Sequence, residues 1–553
     1  KDQVDALTAS GVAATFLNSS LRADESRARL RGLHQGEYRL LYVAPERMML
    51  SGFLSDLQRW KVNLIAIDEA HCISEWGHDF RPEYRQLAEL RKRFPETPVM
   101  ALTATATKRV QSDIVKQLRL RTPGRYIASF DRPNLTYHVL PKNNSYRQLL
   151  EFAKTRPGDS GIVYCQSRRS AESLAERLNE DGIEAKPYHA GLDAKTRATN
   201  QELFLRDEVR VICATIAFGM GINKPNVRFV VHYDMPKNVE GYYQETGRAG
   251  RDGLPSECLL LFSAGDAVKY SKFIDEVSDE QERKIARQQL RRMVELAEGA
   301  ECRRVALLRY FGEEFREPSC GACDNCMTPR ETYDGTVEAQ KFLSCVYRVR
   351  EKSGFDFGVN QIAEVLTGAE TEKILKWDHQ TVSTYGIGKE HSQAEWKLIG
   401  RELVRLGYLS QLAERFNVLQ VTDEGWRALK QRQPIRLVKP IAPPKPEKFR
   451  AEKHRVEKVR ARSHRAGEID CDEALFDRLR RLRKRLADER GVPPYIVFSD
   501  VSLRQMARYY PSNESEFARI NGVGERKLTE FGRSFITEIE AHLRKNPRRA
   551  FDG

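Results

Sequence analysis

The sequence predicts an α/β protein in which two parallel-sheet domains come first and smaller helical modules follow. Short apolar runs of strand length alternate with charged, helix-like segments between residues 40 and 262. Such alternation is typical of parallel sheets covered by helices. Four cysteines cluster between residues 302 and 326, where the alternation ends. Beyond them, apolar residues recur at helical spacing, apart from one pair of short alternating runs at 408–412 and 418–421.

Composition narrows the class of protein. The 553 residues have a formal net charge of +14, with 40% hydrophobic and 31% charged residues. The hydrophobic content suffices for buried cores, and the length suggests about three to five domains. No apolar stretch approaches ~18 residues, so a membrane span is not expected. Ten cysteines are too sparse for a secreted disulfide scaffold. The positive charge favours a polyanionic partner such as nucleic acid, although a generic basic protein would share it.

The apolar runs predict the strands of two sheets that join near residues 125–139. Because the runs are continuous rather than alternating, they predict strands that are buried on both faces. Ligand sites in such sheets lie at the carboxyl ends of strands, where the sequence places Asp68, Thr103, Gln166 and Thr215. The predicted strands are Leu40–Val43, 64–67, 99–102, 161–165, 209–214 and Val227–His232.

Two adjacent carboxylates, Asp68 and Glu69, directly follow the run 64–67 in the sequence Asp-Glu-Ala-His. Phosphoryl transfer from a nucleotide needs a strand-end Asp to hold Mg²⁺. It also needs a neighbouring carboxylate to orient or deprotonate the attacking water. Asp68 and Glu69 fit these two roles. An acidic turn that caps the next helix would give the same letters.

Two arginines, Arg248 and Arg251, lie among small residues in the segment 244–253, which we call the arginine loop. Arginines in such surroundings can approach phosphates closely and stabilise transition-state charge, an effect worth ~10³–10⁵ in rate. A basic helix face is the alternative, and the glycines disfavour it.

In chain order these motifs resemble the RecQ family of DNA helicases. The most specific match is CISEWGHDFRPEY at 72–84, which resembles that family's aromatic-rich loop. The resemblance runs from residue 1 to about residue 543 and implies two RecA-like domains that hydrolyse ATP at their interface. Further matching segments are LLYVAPERM at 40–48, DEAH at 68–71, ALTATAT at 101–107, GIVYCQSRRSAESLAERL at 161–178, ATIAFGMGINKPNVRFVVHYDMP at 214–236 and QETGRAGRDG at 244–253.

The resemblance implies a role for each matching residue. The implied catalytic residues are Asp68, Glu69, His71, Arg248 and Arg251, with His71 linked to Thr103. The implied nucleotide-site residues are Asp68, which also holds Mg²⁺, Thr103, Thr215, Gly219, Gly221, Gln244, Arg248 and Arg251. The implied DNA-binding residues are Trp76, His78, Phe80, Arg81, Ser167 and Arg168. Trp76 and Phe80 can stack on unpaired bases, at ~1–3 kcal/mol each; core packing is the alternative for both.

A phosphate loop of the form Gly-x-x-x-x-Gly-Lys-Ser/Thr does not occur in the sequence. Such a loop binds the β and γ phosphates in ATPases of this type, and in the family pattern it precedes the segment matched by residues 1–4. We therefore expect an N-terminally truncated chain that hydrolyses ATP very poorly alone, and an active helicase in the intact parent protein. A non-catalytic DNA-binding protein is the first alternative. A DEAH-type RNA helicase is the second, and the cysteine cluster, aromatic-rich loop and C-terminal module oppose it.

Four cysteines have the spacing of a zinc site. Zn²⁺ prefers four tetrahedral ligands, and close cysteine pairs can wrap one ion. These cysteines are Cys302, Cys320, Cys323 and Cys326. The resemblance likewise places a structural zinc here, with Cys302 as its first ligand; buried thiols or disulfides are the alternative. Because arginines at 303, 304 and 309 follow, loss of zinc is expected to destabilise the module and weaken DNA binding. The other six cysteines are interpreted as core residues.

The C-terminal part resembles the family's winged helix and its helicase-and-RNase-D C-terminal (HRDC) domain. Phe416 lies at the predicted tip of the winged-helix ribbon and is a candidate wedge for a duplex junction, with an exposed turn as the alternative. Residues 434–467 hold five prolines and eleven Lys and Arg against three Glu, a composition that predicts a solvated linker.

The predicted protein is an ATP-dependent 3′→5′ DNA helicase, cytoplasmic and nucleoid-associated, that unwinds duplex, forked or recombination and repair intermediates. Its implied cofactors are ATP, Mg²⁺ and Zn²⁺. Its implied partners are single-stranded and forked duplex DNA, a single-strand-binding protein and a topoisomerase, with no membrane. The predicted domains are two RecA-like domains at 1–125 and 126–263, a zinc-binding module at 264–333, a winged helix at 334–433, a linker at 434–467 and an HRDC domain at 468–548.

Overall fold

The computed structural model describes most of the chain, in two compact units. The described residues are 2–9, 11–18, 21–48, 50–77, 79–216, 218, 223–328, 332–412, 418–438 and 467–551. The first unit comprises Lys1–Ala297, Arg303–Cys323 and Arg462–Gly553, and the second comprises Glu298–Cys302 and Asp324–Ala461.

The first unit begins with two separate parallel strand pairs. Ala14–Leu17 pairs with Leu40–Val43, and Ile65–Ile67 pairs with Val99–Ala101. The sequence predicts one continuous sheet here, but no strand among the described residues joins the two pairs. They are instead joined by side-chain packing in one core that contains Leu17, Leu54, Ile65, Leu90 and Val110. The helices of this region are Asp2–Ala9, Ala23–Gln35, Pro45–Met48, Ser51–Arg59, the 3₁₀ turn Ala70–Ile73, Pro82–Gln86, Ala88–Arg93 and Lys108–Gln117.

A six-stranded parallel sheet follows in the same unit. Its strands, in spatial order, are Leu135–Pro141, Ser256–Phe262, Val227–His232, Ser160–Tyr164, Val211–Ala214 and Ala185–Tyr188. The central strands are buried along nearly their whole length, which confirms the predicted cover on both faces for this sheet. The prediction is wrong for Leu40–Val43, Ile65–Ile67 and Val99–Ala101, each of which has exposed residues. The predicted joint at 125–139 is too long, because its last residues already form the first of these strands. The helices are Ser145–Lys154, Arg168–Glu180, Ala194–Leu205 and Val239–Thr246.

The rest of the first unit is helical. Its cysteine-rich part contains the helices Ala264–Asp275, Glu280–Glu298 and Arg303–Phe311. The C-terminal module contains Glu473–Glu489, Pro494–Val497, Asp500–Tyr509, Glu514–Phe517, Glu525–Lys527, a π-helical turn at Leu528–Gly532, and Arg533–Leu543. Leu475, Leu479 and Leu482 are buried in its core, and Leu486 packs against them, as the helical spacing predicts.

The second unit has the arrangement predicted for a winged helix. The helix Gln393–Arg405 precedes an antiparallel ribbon of Leu409–Leu412 and Val418–Val421; Phe416 lies outside the described residues. The predicted linker starts too early, because Arg436–Val438 pairs with Thr332–Asp334 and Leu437 is buried in the core. The remaining helices are Asp324–Met327, Thr336–Ser353, Val359–Thr367, Glu372–Lys376, the 3₁₀ turn His379–Thr381, and Asp423–Gln431.

In the part of the chain that the structure describes, no helix combines the length and the apolar character needed to cross a membrane.

Candidate active site

The two predicted catalytic carboxylates lie where the strand Ile65–Ile67 ends. Glu69 has φ of 48°, a left-handed conformation that costs a non-glycine residue ~1–3 kcal/mol. The turn is held because the Glu69 amide donates to Asp68 Oδ1 at 2.9 Å and the Ala70 amide donates to the carbonyl of Leu102 at 2.9 Å. The strained turn leaves Asp68 exposed and Glu69 half-buried beside it.

His71 joins this strand end to the next one. Its side chain is buried, and its Nδ1 lies 2.9 Å from Thr103 Oγ1. The same Nδ1 lies 3.4 Å from Glu69 Oε2. The predicted link between His71 and Thr103 is therefore confirmed, and the imidazole also contacts the candidate water-activating carboxylate.

Charges from the second sheet act on Glu69. Burial raises the pKa of Glu69, and the neighbouring carboxylate of Asp68 raises it further. Arg248 and Arg81 oppose this rise with their positive charges. Burial and the charge of Arg248 lower the pKa of Arg251, and Glu69 acts on Arg251 in the opposite direction. The charges of the carboxylate and of both arginines therefore act on one another, and their role in hydrolysis stays a prediction.

The arginine loop presents its two guanidinium groups differently. Arg248 is 5% exposed, and its buried Nε has no hydrogen-bond partner among the described residues. Arg251 donates to Asn223 Oδ1 at 3.2 Å. An unpaired buried donor costs free energy unless a partner satisfies it; that Arg248 binds a phosphate stays a prediction.

The remaining predicted nucleotide-site residues are only partly described. Thr215 is half-buried, and its amide donates to the carbonyl of Tyr188 at 3.2 Å. Gln244, the first residue of the arginine loop, is half-buried and lies in the helix Val239–Thr246. Gly219 and Gly221 lie outside the described residues.

The aromatic-rich loop, residues 72–84, folds back on the carboxylate turn. A Cβ at Gly77 would lie 2.5 Å from the carbonyl oxygen of His71, so this close approach requires glycine. The Cys72 amide donates to the carbonyl of Glu69 at 2.9 Å, and the Ser74 amide donates to the carbonyl of His71 at 3.1 Å. The loop and the hydrolysis turn are therefore tied together through their main chains.

Arginines cover two aromatic side chains of this loop, Trp76 and Phe80. The guanidinium carbon of Arg109 lies 3.0 Å from the ring centroid of Trp76, and that of Arg85 lies 4.8 Å from Phe80. Arg81, predicted to bind DNA, pairs with Asp79 of its own loop at 2.7 Å. Arg109 and Arg85 were missed at the sequence level because no local pattern marks an arginine that will lie over a ring. His78 lies outside the described residues.

The two DNA-binding residues predicted in the second sheet lie at a helix start. Ser167 Oγ accepts from the Ser170 amide at 3.0 Å and so caps the helix Arg168–Glu180. Arg168 is exposed. A helix N-terminus favours anions through its dipole and its unpaired amides, so this position suits a phosphate.

The four predicted zinc ligands lie together. The Sγ atoms of Cys302, Cys320, Cys323 and Cys326 are all within 4.8 Å of one another. A tetrahedral zinc–thiolate site has sulfur–sulfur edges of about 3.8 Å, so this cluster fits one zinc ion. When bound, zinc would act structurally by cross-linking the segment. The six other cysteines are buried, which confirms their predicted core positions.

Two of the arginines expected to support DNA binding have a different environment. Arg303 and Arg304 are 2% and 7% exposed. Arg303 donates to the carbonyl of Leu296, and Arg304 donates to that of Leu135. Both side chains bind main chain inside the protein, so neither guanidinium is presented to DNA in this structure. That loss of zinc weakens DNA binding stays a prediction.

Comparison with known protein families covers most of the chain. The matching families are the DEAD/DEAH box helicase at residues 1–114, the helicase conserved C-terminal domain at 141–253, RecQ zinc-binding at 264–327, the RQC domain at 329–446 and the HRDC domain at 472–539.

Relatives of known name match over nearly the full length. The ATP-dependent DNA helicase RecQ of Haemophilus influenzae is 44% identical over 98% of this chain and 85% of its own. The protein of the same name from Bacillus subtilis is 41% identical over 98% of this chain and 88% of its own. Among solved structures, Saccharomyces cerevisiae Dbp5 bound to RNA and ADP BeF3 matches 50% of this chain and 74% of its own. Its TM-score is 0.37 and its identity is 16%, a likeness too weak to add to the assignment. The chain belongs to the RecQ family of ATP-dependent DNA helicases.

Proposed function

We propose that this protein couples ATP hydrolysis to 3′→5′ movement along one DNA strand and so unwinds forked duplexes and recombination or repair intermediates. The observation that supports this most directly is the 44% and 41% identity, over 98% of the chain, to named ATP-dependent DNA helicases. The charge interactions of Glu69 with Arg248 and Arg251 agree with it. A carboxylate from one sheet and arginines from another are what phosphoryl transfer at an interface requires.

In this proposal each side chain has one task. Asp68 holds Mg²⁺, a hard cation that prefers carboxylate oxygens and neutralises phosphate charge. Glu69 orients the attacking water, and His71 fixes the position of Glu69 from the buried side. Arg248 and Arg251 stabilise the charge that develops on the transferred phosphoryl group.

DNA is proposed to bind beside this turn. Trp76 and Phe80 stack on unpaired bases, while Arg168 contacts phosphate at its helix start. The net charge of +14 supports sequence-tolerant affinity that falls as salt rises. The cysteine cluster is proposed to hold one structural zinc ion.

We further propose that hydrolysis needs a phosphate loop that these 553 residues do not contain. Purified as it stands, the chain is expected to bind DNA and to hydrolyse ATP at least ~10²-fold more slowly than the full-length product of the gene, a loss of the size seen when one oxyanion-binding donor is removed.

The test is an unwinding assay of the full-length gene product with ATP and Mg²⁺. Forked DNA with a 3′ tail, forked DNA with a 5′ tail and an RNA duplex of the same sequence serve as substrates, and Glu69→Gln serves as the hydrolysis-deficient control. We expect unwinding of the 3′-tailed DNA alone, lost in the control. Preference for RNA would favour an RNA helicase, and DNA binding without any hydrolysis would favour a non-catalytic DNA-binding protein.

A further inference from the structure

We propose that Arg132 is a positioning residue for ATP hydrolysis, which holds the main chain of the arginine loop so that Arg248 and Arg251 face Glu69. Arg132 lies in the segment that enters the second sheet, far in sequence from the arginine loop. This inference rests on the proposed function of Arg248 and Arg251.

The guanidinium of Arg132 binds three carbonyls of the arginine loop. Nη1 donates to the carbonyl of Gly247 at 3.3 Å, and Nη2 donates to those of Ala249 and Gly250 at 3.0 and 2.9 Å. These carbonyls flank Arg248 on both sides. Because the planar guanidinium of Arg132 fixes three main-chain oxygens on either side of Arg248, the direction of the Arg248 side chain depends on Arg132.

A second side chain of the same segment closes the loop. Asn134 Nδ2 donates to the carbonyls of Gly250 and Leu254, each at 2.9 Å. Gly250 has φ of 54°, and a Cβ there would lie 2.4 Å from Asn134 Nδ2. The segment and the loop therefore fit together with no room for a larger residue at this position.

The segment is itself held by the helix Arg303–Phe311. Arg304 Nη2 donates to the carbonyls of Arg132, Pro133 and Leu135 at 3.3, 3.2 and 2.8 Å. Phe311 stacks on Phe130, with ring centroids 4.6 Å apart and planes 7° apart. The backbone around Arg132 thus cannot shift without breaking buried contacts.

This helix begins beside the cysteine cluster. The Arg303 amide donates to Cys323 Sγ at 3.4 Å, at the first residue of the helix. The contacts therefore form a continuous series from Cys323, through the helix and the segment 130–135, to the arginine loop. Arg303 and Arg304, the two buried arginines of this series, bind main-chain carbonyls, which explains why their side chains are not available to DNA.

Charge-assisted bonds to carbonyls are stronger than bonds between neutral groups and are lost with the guanidinium. A displacement of about 1 Å at a catalytic group can cost ~10²-fold in rate. Lysine at 132 keeps the charge but cannot make the forked contacts, so it should restore only part of the rate.

The experiment measures ATP hydrolysis by Arg132→Gln, Arg132→Lys and the double variant Arg132→Gln, Arg248→Gln in the full-length gene product. Arg125→Gln, an exposed arginine in the preceding segment, is the matched control. We expect Arg132→Gln to lower kcat about 10²-fold with the Kd of a fluorescent ATP analogue changed less than about twofold. Affinity for ADP–aluminium fluoride should fall in parallel with kcat.

The double variant separates positioning from general instability. If Arg132 acts mainly through Arg248, adding Arg132→Gln to Arg248→Gln should lower kcat little further, whereas general instability would lower kcat in both backgrounds; all rates are measured below the melting temperature of every variant. A kcat of Arg132→Gln equal to that of Arg125→Gln, or losses that multiply in the double variant, would overturn the inference. If Arg248→Gln and Arg251→Gln retain full activity, the proposed function fails, and this inference fails with it.

Discussion

Replacing Trp76 with alanine is predicted to weaken single-stranded DNA binding about eightfold. A base stacked on an aromatic ring contributes ~1–3 kcal/mol. Arg109 already covers the ring at 3.0 Å, and a base must displace it, at a cost of ~0.5–1 kcal/mol for a cation at a partly exposed ring. The central net value is about 1.2 kcal/mol, which corresponds to about eightfold in Kd.

Fluorescence anisotropy with a labelled oligothymidine at one fixed salt concentration measures this difference, because phosphate contacts vary steeply with salt. Trp76→Phe should retain most of the affinity, since it keeps a stacking face. Trp60→Phe is the matched control in the same region, where Trp60 packs edge-on against Phe53 with centroids 5.6 Å apart. Equal Kd values for Trp76→Ala and the parent chain, or equal losses for Trp76→Phe and Trp76→Ala, would refute stacking on this ring.

Three further predictions concern the hydrolysis site, the cysteine cluster and the C-terminal module. Burial raises the pKa of Glu69 in the folded protein. The contribution of Glu69 to the free energy of unfolding is therefore favourable at acid pH, where the carboxyl is protonated, and is lost as the pH rises through that pKa. Glu69→Gln should therefore abolish hydrolysis yet resist urea better than the parent at pH 7, an advantage absent at pH 4. Cys323→Ser should lose bound zinc in elemental analysis and melt at least about 5 °C lower, whereas the core variant Cys345→Ser should keep its zinc. The charge of Arg483 lowers the pKa of Asp500 to about 2. Asp500→Asn should therefore lower the free energy of unfolding by about 3 kcal/mol at pH 7. Urea titrations should show a smaller loss as the pH falls towards 2.

Strands were predictable where their sequence is continuously apolar. Leu40–Val43 and Val227–His232 have the predicted bounds. Leu135–Pro141 was missed because Thr136 and His138 interrupt its apolar run. Ala185–Tyr188 was missed because it contains a lysine and a proline, which its position at the edge of the sheet tolerates.

The side chains of the candidate site were predictable, but the groups that hold them were not. Asp68, Glu69 and Arg248 follow strand ends and small residues, which local sequence reveals. Arg132 and Arg304 act by donating to main-chain carbonyls, in contacts that span 115 and 172 residues. A main-chain carbonyl has no sequence signature. An arginine that binds one therefore looks like any other basic residue in the sequence and is readily predicted to bind DNA.

The contacts around the carboxylate turn favour direct coupling between DNA and hydrolysis. A base that stacks on Trp76 must displace Arg109. Trp76 precedes Gly77, where an added Cβ would come within 2.5 Å of the carbonyl oxygen of His71. His71 in turn contacts Glu69 at 3.4 Å. Because these ties are short and partly main-chain, movement of the aromatic-rich loop cannot leave the carboxylate unaffected. We therefore expect Gly77→Ala, which forces this approach apart, to reduce the stimulation of ATP hydrolysis by DNA more than it reduces hydrolysis without DNA.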